Sequence, residues 1–248
     1  MIRRLLYIYA HPDDESFGVA GLSRLYADLA AEIALVTATR GDAGRAGEPP
    51  MYSREELPAR REAELREAAR ILGIGHVTVL DYLDKHLADA PPDKIRRELV
   101  GAIRRHRPQI VVTFDPDGAN LHPDHIAISR FAGDAIAAAG DPRWYADAGD
   151  AHLVQRLLWT SPVMPWDTAK SPDLAKEPGV DFLIDVSKYR DTKAAALRAH
   201  GTQHVSISRH FFDLPDVEKI LSVETFRQGF GPPLSKRPLG DVFDSIGT

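Results

Sequence analysis

Short runs of β-branched and aromatic residues alternate along the chain with longer segments whose apolar positions recur at helical spacing. Leu5–Ala10 (LLYIYA) is apolar throughout and predicts a buried strand. Glu32–Thr39, Val77–Leu80, Gln109–Phe114, Gln155–Thr160 and Phe182–Val186 predict five more. Helical periodicity predicts helices over Ala20–Leu29, Arg54–Leu72, Asp93–His106, Asp124–Ala139, Lys188–His200 and Pro215–Leu221. The helix over 54–72 is expected to be N-capped by Ser53 and stopped at Gly73, with its many Arg and Glu residues forming a solvated, ion-paired face. Gly41–Met51 and Pro162–Gly179 carry Pro and Gly among polar residues and predict loops. The Pro- and Gly-rich segment from about Gly229 predicts a loop or tail over the domain.

Strands alternating with helices predict an α/β fold: a Rossmann-like, open, mostly parallel sheet with helices on both faces. The 248 residues show no repeat and no low-complexity tract, and one domain over 1–248 is expected, at the upper end of what a single core serves.

Composition narrows the function classes. A hydrophobic fraction of 44% and a charged fraction of 27% belong to an ordinary globular chain. The 31 basic and 36 acidic residues are mixed throughout, with no basic stripe, so nucleic acid is not an expected partner. There is no cysteine, which excludes disulfides, thiolate metal sites and cysteine nucleophiles; any metal must be held by His, Asp, Glu or water. The N-terminal apolar run meets His-Pro-Asp-Asp too soon for a signal h-region, and no stretch approaches the roughly 20 apolar residues of a membrane span. A cytoplasmic protein without a membrane partner is the expectation.

In an open α/β sheet, ligands bind beyond the carboxyl ends of the strands. The chemistry-bearing residues of this chain fall there repeatedly. The first strand runs into His11-Pro12-Asp13-Asp14-Glu15, and the second into Arg40-Gly41-Asp42. The third is followed by Asp81 and Asp84, and the fourth by Asp115-Pro116-Asp117-Gly118 and then His122-Pro123-Asp124-His125. One His-Pro-Asp alone reads equally well as a helix cap and turn. Two such clusters on strand ends make coincidence a poor account. A hydrolytic metal site needs about three protein ligands and an open position. His11 and Asp14 could supply two, and a histidine after the fourth strand the third; a spare carboxylate and a second imidazole remain for proton transfer and oxyanion stabilisation. Mixed N/O donors without thiols favour zinc, with other divalent metals also admissible. Arg40, Asp42 and Asp84 read as loop or turn residues as readily as substrate contacts. His76, His86, His106, His152 and His210 have no comparable setting and are expected to be structural or solvent-facing.

These motifs, Ala10-His11-Pro12-Asp13-Asp14-Glu15 and His122-Pro123-Asp124-His125, resemble those of the PIG-L/LmbE-like N-acetylglucosaminyl deacetylases. The similarity extends to Thr39-Arg40-Gly41-Asp42-Ala43-Gly44, Arg61-x-x-Glu64 and Ala199-His200-x-x-Gln203, so it covers roughly the first 200 residues. The resemblance implies a Rossmann-like fold and zinc-dependent hydrolysis of an N-acyl amide, foremost N-acetyl, on a small glucosamine-like substrate. It implies one zinc per chain on His11, Asp14 and His125, with Asp13 as general base and His122 as oxyanion stabiliser or acid. Arg40 and Asp84 are the implied substrate contacts, and a homo-oligomer is in keeping with the family. A larger thiol S-conjugate as amidase substrate and a non-catalytic sugar-binding role are the alternatives. Two departures concern the substrate rather than the chemistry. Asn120 stands where mycothiol-type members carry Tyr, and Asp84-Lys85 stands where many relatives have Asp-Gly.

Overall fold

The computed structural model describes residues 2–247. Its first strand, β1 (Arg4–Tyr9), is buried from Leu5 onward, as an apolar run with no polar face requires. A short helix α1 (Asp14–Gly18) follows, then α2 (Ala20–Asp28), β2 (Glu32–Thr39), α3 (Leu57–Leu72), β3 (His76–Tyr82), α4 (Pro92–His106) and β4 (Ile110–Thr113). The second half runs through α5 (Gly118–Leu121), α6 (Pro123–Ala139), β5 (Arg156–Thr160), β6 (Phe182–Asp185), α7 (Arg190–Ala199), α8 (His204–Ile207), α9 (Val217–Ser222) and β7 (Val223–Phe230).

The strands form one sheet in the order β3-β2-β1-β4-β5-β7-β6. β1 pairs in parallel with β2 and β4, β2 with β3, and β4 with β5; β7 runs antiparallel between β5 and β6. Helices α4 and α6 pack together, and α3 packs with α2 and α7. The architecture is thus the expected open, mostly parallel α/β sheet. Among the described residues, no helix is long and apolar enough to cross a membrane.

Chain order reverses at the β1–β4 pair: β2 lies on one side of β1 and β4 on the other. The loops after these two strands diverge to opposite sides there and leave a crevice, the place where such sheets bind ligands.

All six predicted strands are present, with ends shifted by a residue or so at several of them. Three expectations are corrected. The chain from 223 to 230 is a strand, so the loop-rich tail begins at Gly231 rather than about Gly229. Helix α3 begins at Leu57, not Arg54. Ser53 instead closes the turn before it: its N–H and hydroxyl both donate to Glu56 Oε2, and its Oγ accepts the Glu56 N–H. Within α3, Arg61 and Glu64 are each only 3% exposed, so this helix is not solvated around its charged residues.

Candidate active site and metal centre

The crevice brings the two His-Asp clusters together. His11 Nδ1 lies 3.2 Å from His125 Nε2 and 3.7 Å from Asp14 Oδ2, and His125 Nε2 lies 3.4 Å from Asp14 Oδ1. The other nitrogen of each ring fixes what these atoms are. His125 Nδ1 faces the Gly118 carbonyl at 3.1 Å, and a carbonyl can only accept, so that nitrogen carries the proton. His11 Nε2 faces the carboxylates of Asp124 (3.1 Å) and Asp84 (3.2 Å) and carries its proton in the same way. In the neutral rings that metal ligation requires, the facing nitrogens therefore both present lone pairs, next to a carboxylate. Three acceptors directed at one point call for a cation.

The spacing suits one. Ligand arms of roughly 2.0–2.1 Å at the tetrahedral angle put neighbouring donor atoms about 3.4 Å apart. The surroundings favour positive charge here, whether a metal ion or a proton carries it. Burial opposes charge on His11, but Asp124, Asp84 and Asp14 outweigh it and raise its pKa to about 10. Burial likewise opposes the Asp14 carboxylate, yet His125, His11 and the His11 N–H hold it down to about 2. His122 lies close enough to His11 and His125 to complete an alternative three-imidazole group.

Local sequence explains the placement. Asp14 Oδ2 accepts the N–H groups of Ala10 (3.1 Å) and His11 (2.8 Å), which folds the first motif back on its own strand end. Phe114, just after β4, stacks on His125 with ring centroids 3.9 Å apart and planes within 8°. Gly118 has φ +69, and a Cβ there would come within 2.8 Å of His125 Cβ and Ile126 N, so only glycine can present its carbonyl to His125.

Asp13 lies beside the cluster in a backbone conformation rare for any residue but glycine, with φ 117. Several bonds hold it there. Its N–H donates to Glu15 Oε2 (3.1 Å), its carbonyl accepts from Ser16 and Phe17, and its carboxylate meets Arg61 Nη2 at 3.2 Å. Burial, helped by the adjacent Asp14 charge, pushes its pKa up to about 6 against the pull of Arg61. Arg61 also donates to the carbonyls of Pro12 and Gly41; a Cβ on Gly41 would overlap that guanidinium. His122 caps α6 by accepting the Asp124 N–H on Nδ1 (3.2 Å), which leaves Nε2 as the protonated nitrogen of the neutral ring. Burial and the His11 and His125 rings hold its pKa below the ordinary value.

A family model described as "PIG-L: GlcNAc-PI de-N-acetylase" matches residues 6–136, which span both motifs. The chain belongs to the PIG-L family. As a PIG-L protein it is an amide hydrolase of the deacetylase kind. It is 32% identical to a 1D-myo-inositol 2-acetamido-2-deoxy-alpha-D-glucopyranoside deacetylase of Streptomyces griseus, over 93% of this chain and 84% of that one. It is 38% identical to a probable N-acetyl-alpha-D-glucosaminyl L-malate deacetylase 2 of Bacillus anthracis, over 59% of this chain and 66% of that protein. The fold matches the N,N'-diacetylchitobiose deacetylase of Pyrococcus horikoshii with a TM-score of 0.70 at 22% identity, covering 91% of this chain and 83% of the other.

In this PIG-L chain the motifs line a cavity of about 710 Å³, within the range that encloses a drug-sized ligand. Phe17, Met164, Trp166 and His210 give it apolar and aromatic surface, and Arg45, Arg54 and Lys85 give it positive charge. The predicted site residues do not all meet here. His11, Asp13, Asp14, Asp84, His122 and His125 line the cavity. Arg40 is not among its lining residues; it lies against Glu62 and Asp81 beside α3. Asp84 is turned to His11 and, through Oδ2, to the Ala43 N–H, so it orients an imidazole rather than reaching outward.

Sequence reasoning missed four contributors. Arg61 was read with the solvated face, although Leu57, Arg61, Leu65, Ala68 and Leu72 share one helical stripe, a pattern that could have exposed it. Asp124 was read only as part of its motif, yet it accepts from His11 Nε2 and from the Lys85 and Leu87 N–H groups. His210, expected to be structural or solvent-facing, lines the cavity and packs on Trp166, ring centroids 4.5 Å apart. His200 is fully buried with Nε2 2.7 Å from Glu15 Oε1.

Proposed function

We propose that this protein is a zinc-dependent N-deacetylase that hydrolyses an N-acyl amide, foremost N-acetyl, on a small glucosamine-like substrate. The observation that carries the reading is the pair of lone-pair nitrogens of His11 and His125 facing each other at 3.2 Å beside the Asp14 carboxylate. His11, Asp14 and His125 would hold the ion, with Asp84 and Asp124 fixing the His11 ring from behind. A zinc ion bound there supplies Lewis acidity, polarising the acyl carbonyl and acidifying a water molecule.

Asp13 takes a proton from the water as its oxygen adds to the acyl carbon. The strained backbone and the Arg61 contact keep that carboxylate in one orientation, which is what general-base geometry requires. His122 directs Nε2–H at the oxyanion that forms. Asp13 then returns its proton to the amide nitrogen as the C–N bond breaks, giving the free amine and the carboxylic acid. Each proton is accounted for, and Asp13 ends as the carboxylate with which it began. Relatives named for deacetylation of acetamido-glucopyranosides support the substrate class.

The test is acetate release from N-acetylglucosamine derivatives by metal-stripped and zinc-reconstituted protein. Zinc-dependent release from any of them is the expected result. Equal release from the stripped protein would overturn the metal's role, and no release from a zinc-loaded protein would overturn the reaction class.

A further inference from the structure

Lys85 follows Asp84 and adopts φ +70, the left-handed region where glycine is unstrained and an L side chain is disfavoured. The conformation is imposed locally: the Lys85 N–H donates to Asp124 Oδ2 at 2.6 Å, and Asp84 Oδ1 lies against His11. A glycine would meet these backbone demands without strain. Folding therefore does not ask for the lysine side chain, yet it lines the cavity that holds the His-Asp clusters.

A balance of charges shows what that side chain has to meet. Of the acidic groups lining the cavity, Asp13 faces Arg61, Asp14 faces His11 and His125, and Asp84 faces His11. Each has its own cationic or hydrogen-bonding partner. The Lys85 ammonium is in no ion pair among the described residues. Arg54, also lining the cavity, donates to the Gly44 carbonyl at 2.6 Å and likewise pairs with no carboxylate among them. Arg45 has one exposed partner, Glu48, at 3.4 Å. The Lys85 ammonium and the Arg54 guanidinium thus line the cavity with no carboxylate partner among the described residues. A neutral sugar offers them no counter-charge.

We propose that Lys85 is a specificity-determining residue that binds an acidic group, carboxylate or phosphate, on the substrate, assisted by Arg54. This rests on the reading of the protein as an amino-sugar deacetylase and narrows its substrate to anionic N-acyl amino sugars. Such a group makes charge-assisted hydrogen bonds to ammonium and guanidinium, which are stronger than those a hydroxyl makes.

The experiment compares wild type with Lys85→Gly, which relieves the backbone, and Lys85→Met, which keeps the stem and removes the charge. The zinc-loaded proteins are given three N-acetylglucosamine probes: the carboxymethyl glycoside, the 1-phosphate and the neutral hydroxyethyl glycoside. Binding is measured by calorimetry and turnover by acetate release. The expected result is that wild type favours one or both acids. Both variants should weaken acid binding roughly tenfold, the scale of one charge-assisted hydrogen bond, with the neutral probe unchanged. The two acids tell carboxylate from phosphate. Lys85→Gly should also melt no lower than wild type. Equal binding of acidic and neutral probes by wild type, or acid preference surviving in both variants, overturns the proposal. Lys85-dependent acid binding without acetate release from any probe upholds the anion site and overturns the deacetylase reading instead.

Discussion

His200 Nε2 lies 2.7 Å from Glu15 Oε1, and both side chains are fully buried. The other oxygen of Glu15 accepts the N–H of Asp13 at 3.1 Å, so a histidine 187 positions along the chain helps to hold the strained backbone of the proposed base. Burial opposes charge on His200, and Glu15 raises its pKa against that.

Glu15→Gln should therefore lower kcat more than it changes KM, by roughly tenfold to a hundredfold if Asp13 shifts by a fraction of an ångström to one ångström. Zinc content should stay at the wild-type level. His200→Ala leaves the buried Glu15 with only the Ser16 hydroxyl and the Asp13 N–H as partners and should cost about 3 kcal/mol of stability. Steady-state kinetics, metal analysis and urea unfolding check the pair; unaltered kcat in Glu15→Gln would show that Asp13 needs no such support.

Asp13→Asn removes the proposed base but no proposed ligand. Turnover should fall by at least about a hundredfold, the lower end of what general-base catalysis supplies. Bound zinc should remain one per chain by mass spectrometry under native conditions. A variant that retained most of its activity would transfer the base role to another group.

Metal content should instead follow His125. His125→Ala is expected to lose zinc on dialysis against conditions that leave the wild type loaded. Stripping the wild type with a chelator should lower its Tm, because a ligand present at 100 times its Kd stabilises the folded state by about 2.7 kcal/mol. Full zinc occupancy in His125→Ala would favour a site built with His122 in its place.

Arg40→Ala should leave kcat and KM within about twofold of wild type, since surface substitutions away from a site act weakly. Its partners are Glu62 and the exposed Asp81, and it does not line the cavity. Arg61→Ala should do the opposite and depress kcat, because Arg61 joins Asp13 to the Pro12 and Gly41 carbonyls. A large effect at Arg40 would mean that the substrate reaches past the cavity to the outer edge of α3.

How much of this was legible in the chain depended on how local each feature is. β1, β2 and β4 were readable because buried parallel strands are continuously apolar. The His11 and His122 clusters were readable because each is contiguous in sequence, at the start of a helix that follows a strand. β7 was not, because its sequence VETFRQGF mixes charge into a buried strand. Glu224 is 5% exposed only because Lys193 and the N–H groups of Gly21 and Leu22 satisfy it, and those partners come from other helices. Arg61 failed for a similar reason: its carbonyl and carboxylate partners lie 20 to 49 positions away. Periodicity reports which face is inside; it does not report what waits there.

The place of β7 in the sheet also sets an order of events for a chain made from its N-terminus. β1 to β5 can assemble as soon as they exist, but β5 and β6 are joined only through a strand whose last residue is Phe230. Until the ribosome has released that segment, the sheet ends at an open β5 edge, and β6 has no neighbour. Such edges invite pairing with other chains. The segment Val223–Phe230 thus works as a closing wedge, and a nascent chain halted before it would hold the His-Asp clusters that follow β1 and β4 on an unfinished, adhesive sheet.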